Sequence, residues 1–163
     1  MKITIIATLM IMAAYFLILY AGVAFIQDKR FFSSAPKEYL TIIPERKERF
    51  RGAHIIGWLI ALAAILLFLG AIVLSAWDGH QNQFTFWEFF IRFLVMLYLM
   101  EIYDILFFDW VLLCHSNFFP RFYPELKGHT DPQLFGYNKK EHILHFFLYL
   151  PLCAIIAWLC TLL

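Results

Sequence analysis

The stretch Glu101-Ile-Tyr-Asp104-Ile-Leu-Phe-Phe-Asp109-Trp-Val-Leu-Leu-Cys114-His115 lies in a long apolar run, yet it carries three carboxylates and ends in a histidine. Charge at membrane depth is costly, so it persists where it is paired, bound to a ligand or in contact with water. The stretch therefore predicts a buried polar site in a membrane helix. One helix cannot surround such charges, so other helices must supply their partners.

The composition predicts an all-α integral membrane protein. Of the 163 residues, 63% are hydrophobic, 20% are aromatic and 15% are charged, whereas about a quarter of the residues in soluble domains are charged. A soluble domain of this size could not bury so much apolar surface, so we expect one domain, residues 1–163, in a lipid bilayer. The net charge of +1 indicates no nucleic-acid partner. The chain has no glycine-rich nucleotide loop, no His-Glu-x-x-His motif and no His-x-x-His-His box.

Four apolar runs predict four transmembrane helices in a bundle, because each can cross the roughly 30 Å hydrocarbon layer at about 1.5 Å per residue. They are residues 3–26, 54–77, 86–113 and 142–163. A signal peptide is the alternative for the first run, because Lys2 precedes it and Gly22-Val-Ala24 resembles a cleavage site. The run is longer than a signal core of roughly 7–15 residues, which favours a membrane span.

Basic residues predict the orientation of the bundle. Residues 27–53 hold seven and residues 114–141 hold four of the thirteen lysines and arginines, whereas residues 78–85 hold none. Cytoplasmic connections carry the excess of basic residues. The two long connections are therefore predicted to be cytoplasmic interfacial loop segments, which places both termini outside the cytoplasm.

Local patterns predict details of these elements. Ser33–Pro36 and Pro44 read as starts of short helices in the first cytoplasmic segment, the second running to Arg51. In the other cytoplasmic segment, Phe118–Pro124 contains two prolines and predicts an irregular aromatic loop at the membrane interface.

Helix 54–77 carries small residues at four-residue spacing, including Gly57 and Ala61, and this face is predicted to contact another helix. Thr85 and Glu88 have the spacing of a capping box. Glu88 and Arg92 are four residues apart, which predicts an ion pair on the helix surface.

A helical wheel groups some of the charged residues. With Glu101 at zero and about 100° per residue, Asp104 falls at about −60° and His115 at about −40°. Asp109 falls at about +80°, on the edge of this face. Glu101 and Asp104 are about 4.5 Å apart along the axis, whereas Glu101 and His115 are about 21 Å apart. The last distance is too long for a shared ligand, so His115 is the weakest member of the group.

The fourth run opens with His142 and His145, which share a helix face and lie at the predicted depth of Asp109. Carboxylates on one bundle helix that face histidines on another form metal sites in bundle cores. Imidazole and carboxylate ligands suit zinc, iron or manganese. The predicted metal ligands are Asp104, Asp109, His142, His145 and His115, and the predicted catalytic residues are Glu101, Asp104 and Asp109.

Three functions are compatible with this pattern. The first is a metal-dependent enzyme that acts on a lipid or lipid-linked substrate, because an open coordination position can activate water. Its substrate's phosphate or acidic headgroup would bind arginines of the cytoplasmic segments; these are Arg46, Arg49, Arg51 and Arg121. The second is a proton- or cation-coupled transporter or oligomeric channel, in which homo-oligomers enclose the pathway. The third is an accessory membrane subunit with a structural polar cluster.

Overall fold

The computed structural model of the protein describes residues 2–28, 41–44, 47–128 and 134–162, in which all regular structure is helical and no strand occurs. The α-helices are α1 (Lys2–Ala21), α2 (Ala53–Gln81), α3 (Phe86–Tyr103), α4 (Phe118–Phe122) and α5 (Lys139–Leu162). The π-helical segments Gly22–Ile26 and Asp104–Cys114 continue α1 and α3. A short 3-10 helix spans Pro124–Leu126.

Three helical runs are long and apolar enough to cross a membrane, which is one fewer than the sequence predicts. They are Lys2–Ile26 with 25 residues, Ala53–Gln81 with 29 and Lys139–Leu162 with 24. The third predicted span does form one helical run over residues 86–114. Its composition differs from that of the three candidate spans because it contains more charged side chains. Two boundaries also differ: α2 continues through the residues predicted as a polar turn as far as Gln81, and α5 begins at Lys139 rather than 142.

The outer surfaces of α2 and α5 are apolar. Large side chains such as Leu66, Val73, Phe147 and Trp158 are more than half exposed in the isolated chain. Exposed apolar surface on this scale marks a contact with lipid or with another protein. The three candidate spans therefore have the surface expected of helices in a bilayer.

Helices α1 and α2 pack closely through small residues. Gly57, Ala61 and Ala64 of α2 are buried, as are Ala7 and Ala14 of α1. Small residues allow two helix backbones to approach each other. The prediction that this face of α2 contacts another helix is confirmed.

Helices α3 and α5 pack through one apolar stripe on each. Phe89, Phe93, Met96 and Met100 recur along α3 at spacings of three and four residues, and all are buried. They form a core cluster with residues of α5, α1 and α2; those on α5 are Cys153, Ala157 and Cys160. These two cysteines and Cys114 are buried free thiols. The core therefore fixes the register in which the polar ends of α3 and α5 meet.

The partner of Arg92 differs from the prediction. Its Nη2 lies 2.7 Å from Asp78 Oδ2, and its Nη1 donates to the Ser75 carbonyl at 2.8 Å. Glu88 instead accepts the backbone N–H and the hydroxyl of Thr85, each at 2.8 Å, in the predicted capping box. The pairing of Glu88 with Arg92 was wrong, because the capping box already holds the Glu88 carboxylate.

The two long connections meet at one end of the bundle. Ile43 from the first connection shares a buried cluster with Tyr123 and Leu126 from the other, and Gln27 Nε2 donates to the Phe122 carbonyl at 3.5 Å. The described parts of both connections therefore lie at the same end of the helices.

The local structure of the two connections differs in part from the prediction. Pro120 does not interrupt α4, because it lies in the first turn, where no intrahelical N–H bond is required. Residues 47–52 are not helical, in contrast to the predicted helix from Pro44: residues 49–50 form a bend and residues 51–52 a turn. Glu48 accepts the backbone N–H of His54 at the start of α2 at 3.0 Å. The helix start predicted at Ser33–Pro36 and Arg46 lie outside the described residues.

We expect Gly57→Ala to lower the melting temperature in detergent, because a Cβ there would lie 2.6 Å from Ile26 Cγ1 and 3.0 Å from Phe25 Cβ. Overpacking of this kind costs about 1–3 kcal/mol. Gly70→Ala is the matched control, since its Cβ would meet only Met10 Cε, at 3.9 Å. Equal melting temperatures for the two variants would contradict the close packing of Gly57 against the π segment of the first span.

Candidate functional site

The carboxylate of Glu101 is the centre of a polar cluster between α3 and α5. Its side chain is only 7% exposed. Oε1 lies 2.7 Å from Nδ1 of His142 and 3.2 Å from Nδ1 of His145. Oε2 accepts the Tyr149 hydroxyl at 2.6 Å. Both carboxylate oxygens are therefore engaged by side chains of α5.

The sequence of α5 places these three partners on one face. His142, His145 and Tyr149 follow one another at spacings of three and four residues, which align on an α-helix. The same stripe continues into buried Cys153. Tyr149 was missed by the sequence analysis, although its position four residues after His145 is a signal that could have identified it.

Asp109 joins the cluster because its helix is π-helical there. Its Oδ2 lies 2.8 Å from His142 Nε2, and its side chain is 9% exposed. On an α-helix, Asp109 would be rotated by about 140° from Asp104. The i→i+5 hydrogen bonds of the segment Asp104–Cys114 reduce the rotation per residue. The reduced rotation brings Asp109 back towards the face of Glu101, instead of the edge position expected from the sequence.

His115 does not join the cluster, although the sequence analysis included it among the metal ligands. It is the exposed residue that ends the π segment, and its Nδ1 lies 2.7 Å from the Trp110 carbonyl oxygen. The α-helical wheel that aligned it with Glu101 does not hold over the π segment. His142 is therefore the histidine that pairs with Asp109.

Asp104 lies at the margin of the cluster. Its Oδ2 is 4.0 Å from His142 Nδ1, and its side chain is 16% exposed. This distance is too long for a hydrogen bond, but it leaves the carboxylate near the Nδ1 side of the imidazole. Asp104 is thus free to contact a group bound between Glu101 and the histidines.

The cluster has the chemistry of a three-ligand metal site. One ligand atom from each of Glu101, His142 and His145 lies within 4.8 Å of the others. Bonds of about 2.0–2.1 Å in tetrahedral geometry place ligand atoms roughly 3.3 Å apart. The 3.2 Å separation of His145 Nδ1 and Glu101 Oε1 matches this spacing. The distance of 2.7 Å between His142 Nδ1 and Glu101 Oε1 would have to increase by about half an ångström for both atoms to bind one metal ion.

The surrounding hydrogen bonds also fit a metal site. A histidine that binds a metal usually donates its other ring N–H to a carboxylate, and a ligating carboxylate is itself hydrogen-bonded. Asp109 is placed to accept from His142 Nε2, and Tyr149 donates to the second oxygen of Glu101. As a hydrogen-bonded cluster without metal, the same two contacts of His142 each require one proton, carried either by its ring nitrogen or by the facing carboxyl group.

A cavity of about 710 Å³ leads to this cluster from the outer surface. Its walls include Ile102, Ile143 and Phe146, each about half exposed, and Glu101 and Asp109 lie at its polar end. The other lining residues include Tyr98, Ile105, Phe135, Gly136, Lys139 and His142. The volume lies in the range of small-molecule sites. The lining residues come from α3, the π segment Asp104–Cys114, α5 and the residues just before α5.

The predicted arginines that the structure describes, Arg49, Arg51 and Arg121, do not line this cavity. Arg49 and Arg121 line a different cavity, of about 490 Å³, beside α4. Arg51 is exposed and lines neither cavity. The structure therefore places these three arginines outside the cavity beside the predicted metal ligands, although the sequence predicted one common site.

No protein-family model, curated protein or solved structure matches this chain. The chemistry of the site is therefore inferred from its own residues and their geometry.

We expect Asp109 and His142 to be energetically coupled. In a double-mutant cycle of Asp109→Asn and His142→Gln, the melting behaviour in detergent should give a coupling energy of roughly 1–3 kcal/mol, because the two residues are in contact. The matched cycle of Asp109→Asn with His115→Gln should give a coupling near zero. Coupling to His115 instead would contradict the position of Asp109 produced by the π segment.

Proposed function

We propose that the protein is a metal-dependent membrane enzyme that acts on a lipid or lipid-linked substrate. The observation that carries this proposal is that a single buried oxygen, Glu101 Oε1, faces Nδ1 of both His142 and His145 at 2.7 and 3.2 Å. Three protein ligands with an open fourth position are the pattern of catalytic rather than structural zinc sites. Zinc, iron or manganese fits these ligands.

The proposed membrane arrangement has four crossings, with residues 86–114 as the fourth. Burial of this run against α1 and α5 supports a crossing, because its charged residues Arg92, Glu101 and Asp109 are buried in the protein. The excess of basic residues in the two long connections supports a cytoplasmic location for them, with both termini outside.

Each group in the cluster has a proposed role. Glu101, His142 and His145 bind the metal, while Asp109 and Tyr149 orient these ligands. A bound metal supplies a Lewis acid and lowers the pKa of a coordinated water.

Asp104 is the proposed general base that takes the proton of the attacking water. It lies 4.0 Å from His142 Nδ1 without a hydrogen bond to it, and a base of this kind contributes about 10²–10⁴ to the rate. The apolar cavity binds the substrate's hydrocarbon chain, and Lys139 at its lining attracts an acidic headgroup.

The metal is tested first. Protein purified in detergent and freed of loosely bound ions should contain about one transition metal per chain by elemental analysis. His142→Ala, His145→Ala and Glu101→Gln should each lose most of it, because each removes one of three ligands. His115→Ala is the matched control and should retain it. A metal-free wild type that also fails to bind added zinc, iron or manganese would overturn the proposal.

The reaction is tested with the same samples. Wild-type protein reconstituted with a total membrane lipid extract and its metal should convert a lipid species, detected by mass spectrometry. Asp104→Asn should retain the metal but react at least about 100-fold more slowly. Stoichiometric metal without lipid conversion would support a structural metal site and an accessory subunit instead.

A second candidate function, a proton pathway, is favoured by one observation. Tyr149, Glu101, His142 and Asp109 form a continuous chain of contacts between 2.6 and 2.8 Å. Such a chain can pass a proton along α5, in one copy or in a homo-oligomer. Proteoliposomes with an internal pH dye should then show proton flux that His142→Gln abolishes and His115→Gln preserves. Absence of flux in the wild type would exclude this candidate.

A further inference from the structure

A cavity beside α4 lies apart from the cluster around Glu101. Its volume is about 490 Å³. Its lining includes Tyr20, Arg49, Asn117, Phe118, Arg121 and Phe122. It shares no lining residue with the cavity at Glu101. We propose that it binds the phosphate of an anionic phospholipid headgroup, at a site separate from the metal cluster.

The two arginines come from different connections. Arg49 lies just before α2, and Arg121 lies in α4. In the part of the chain that the structure describes, no carboxylate forms an ion pair with either guanidinium, and no acidic side chain lines the cavity. Two guanidinium groups at one cavity attract an anion, and their planar donors match the geometry of phosphate oxygens.

Arg49 is held in place before any ligand binds. Its Nη1 donates to the Ala24 carbonyl at 3.4 Å, and its guanidinium carbon lies 5.5 Å from the centre of the Phe122 ring. These contacts use one donor and one face of the guanidinium, so its remaining donors are free to bind an oxygen. A positioned side chain loses less conformational entropy on binding than a mobile one.

Arg121 also borders a second cavity, of about 300 Å³, which Lys127 lines. The positive surface therefore extends from Arg49 past Arg121 to Lys127. Asn117 lines both cavities, and its amide can donate to an oxygen. This arrangement suits a phosphate ester whose headgroup continues towards Lys127.

A lipid is favoured over a soluble phosphate by the aromatic side chains around the arginines. Tyr20, at the end of the first span, has its ring 6.1 Å from Phe122 and 5.7 Å from Phe25. Phe118 packs against Phe122 at 5.5 Å. Aromatic rings of this kind are enriched at the level of lipid headgroups. They would contact the glycerol and upper acyl region of a lipid whose phosphate lies between the arginines.

Thermal unfolding in detergent tests the site, because a ligand that binds only the folded state raises the melting temperature. Phosphatidic acid should raise the melting temperature of the wild type, whereas phosphatidylcholine should not. Arg121→Gln and Arg49→Gln should each weaken the apparent affinity for phosphatidic acid roughly tenfold, through loss of a charge-assisted hydrogen bond. Arg51→Gln, an exposed arginine outside both cavities, is the matched control and should behave as wild type.

Other outcomes have defined meanings. If Arg51→Gln weakens binding as much as Arg121→Gln, the lipid binds a diffuse positive surface and the proposal fails. If inorganic phosphate raises the melting temperature at the same concentrations as phosphatidic acid, the ligand is a soluble phosphate and the lipid assignment is overturned. Metal content in Arg121→Gln should equal that of the wild type, so failure here is distinct from failure of the metal site.

Discussion

The buried carboxylate of Glu101 imposes a constraint that the surrounding structure has to meet. An ionised carboxylate without partners in a low-dielectric interior costs several kcal/mol even after relaxation, so donors must reach both of its oxygens. All three side chains that contact these oxygens come from one face of α5. Together with the apolar core, this requirement determines the register of α5 against α3. The register in turn sets the position of the cavity at Glu101 and the contact between Asp109 and His142.

The two halves of the bundle are held by different forces. The α1–α2 contact depends on small residues and close backbone approach, as at Gly57, where even a methyl group would collide with the first span. The α3–α5 contact combines large apolar side chains along most of its length with a polar cluster at one end. Close packing tolerates little change in shape, whereas the polar end can change its ligands and protons. The proposed metal site therefore lies in the α3–α5 half.

Hydropathy and helical spacing predicted the three apolar spans, the packing face of α2 and the capping box at Thr85, because each depends on nearby residues. They also placed His142 and His145 opposite the carboxylates. They failed where a distant contact or a change in helix type decided the outcome. Arg92 pairs with Asp78 across a turn, and His115 lies against Trp110 because the π segment changes the rotation of every residue after Asp104. The role of Tyr149 depends on the hydrogen bond from its hydroxyl to Glu101, which its residue type alone does not reveal.

The π segment from Asp104 to Cys114 also links two packing problems within one helix. Residues before it face the apolar core shared with α5, while Leu113 and Cys114 at its end belong to the cluster that joins the two long connections. An α-helix of the same length would satisfy one of these surfaces and turn the other away. The lower rotation per residue of the π segment turns both faces toward their packing partners. A change in the packing of the connections, for example when a ligand bridges them, would therefore rotate the π segment slightly. The Asp109 side chain would turn with it, while α3 would keep its position.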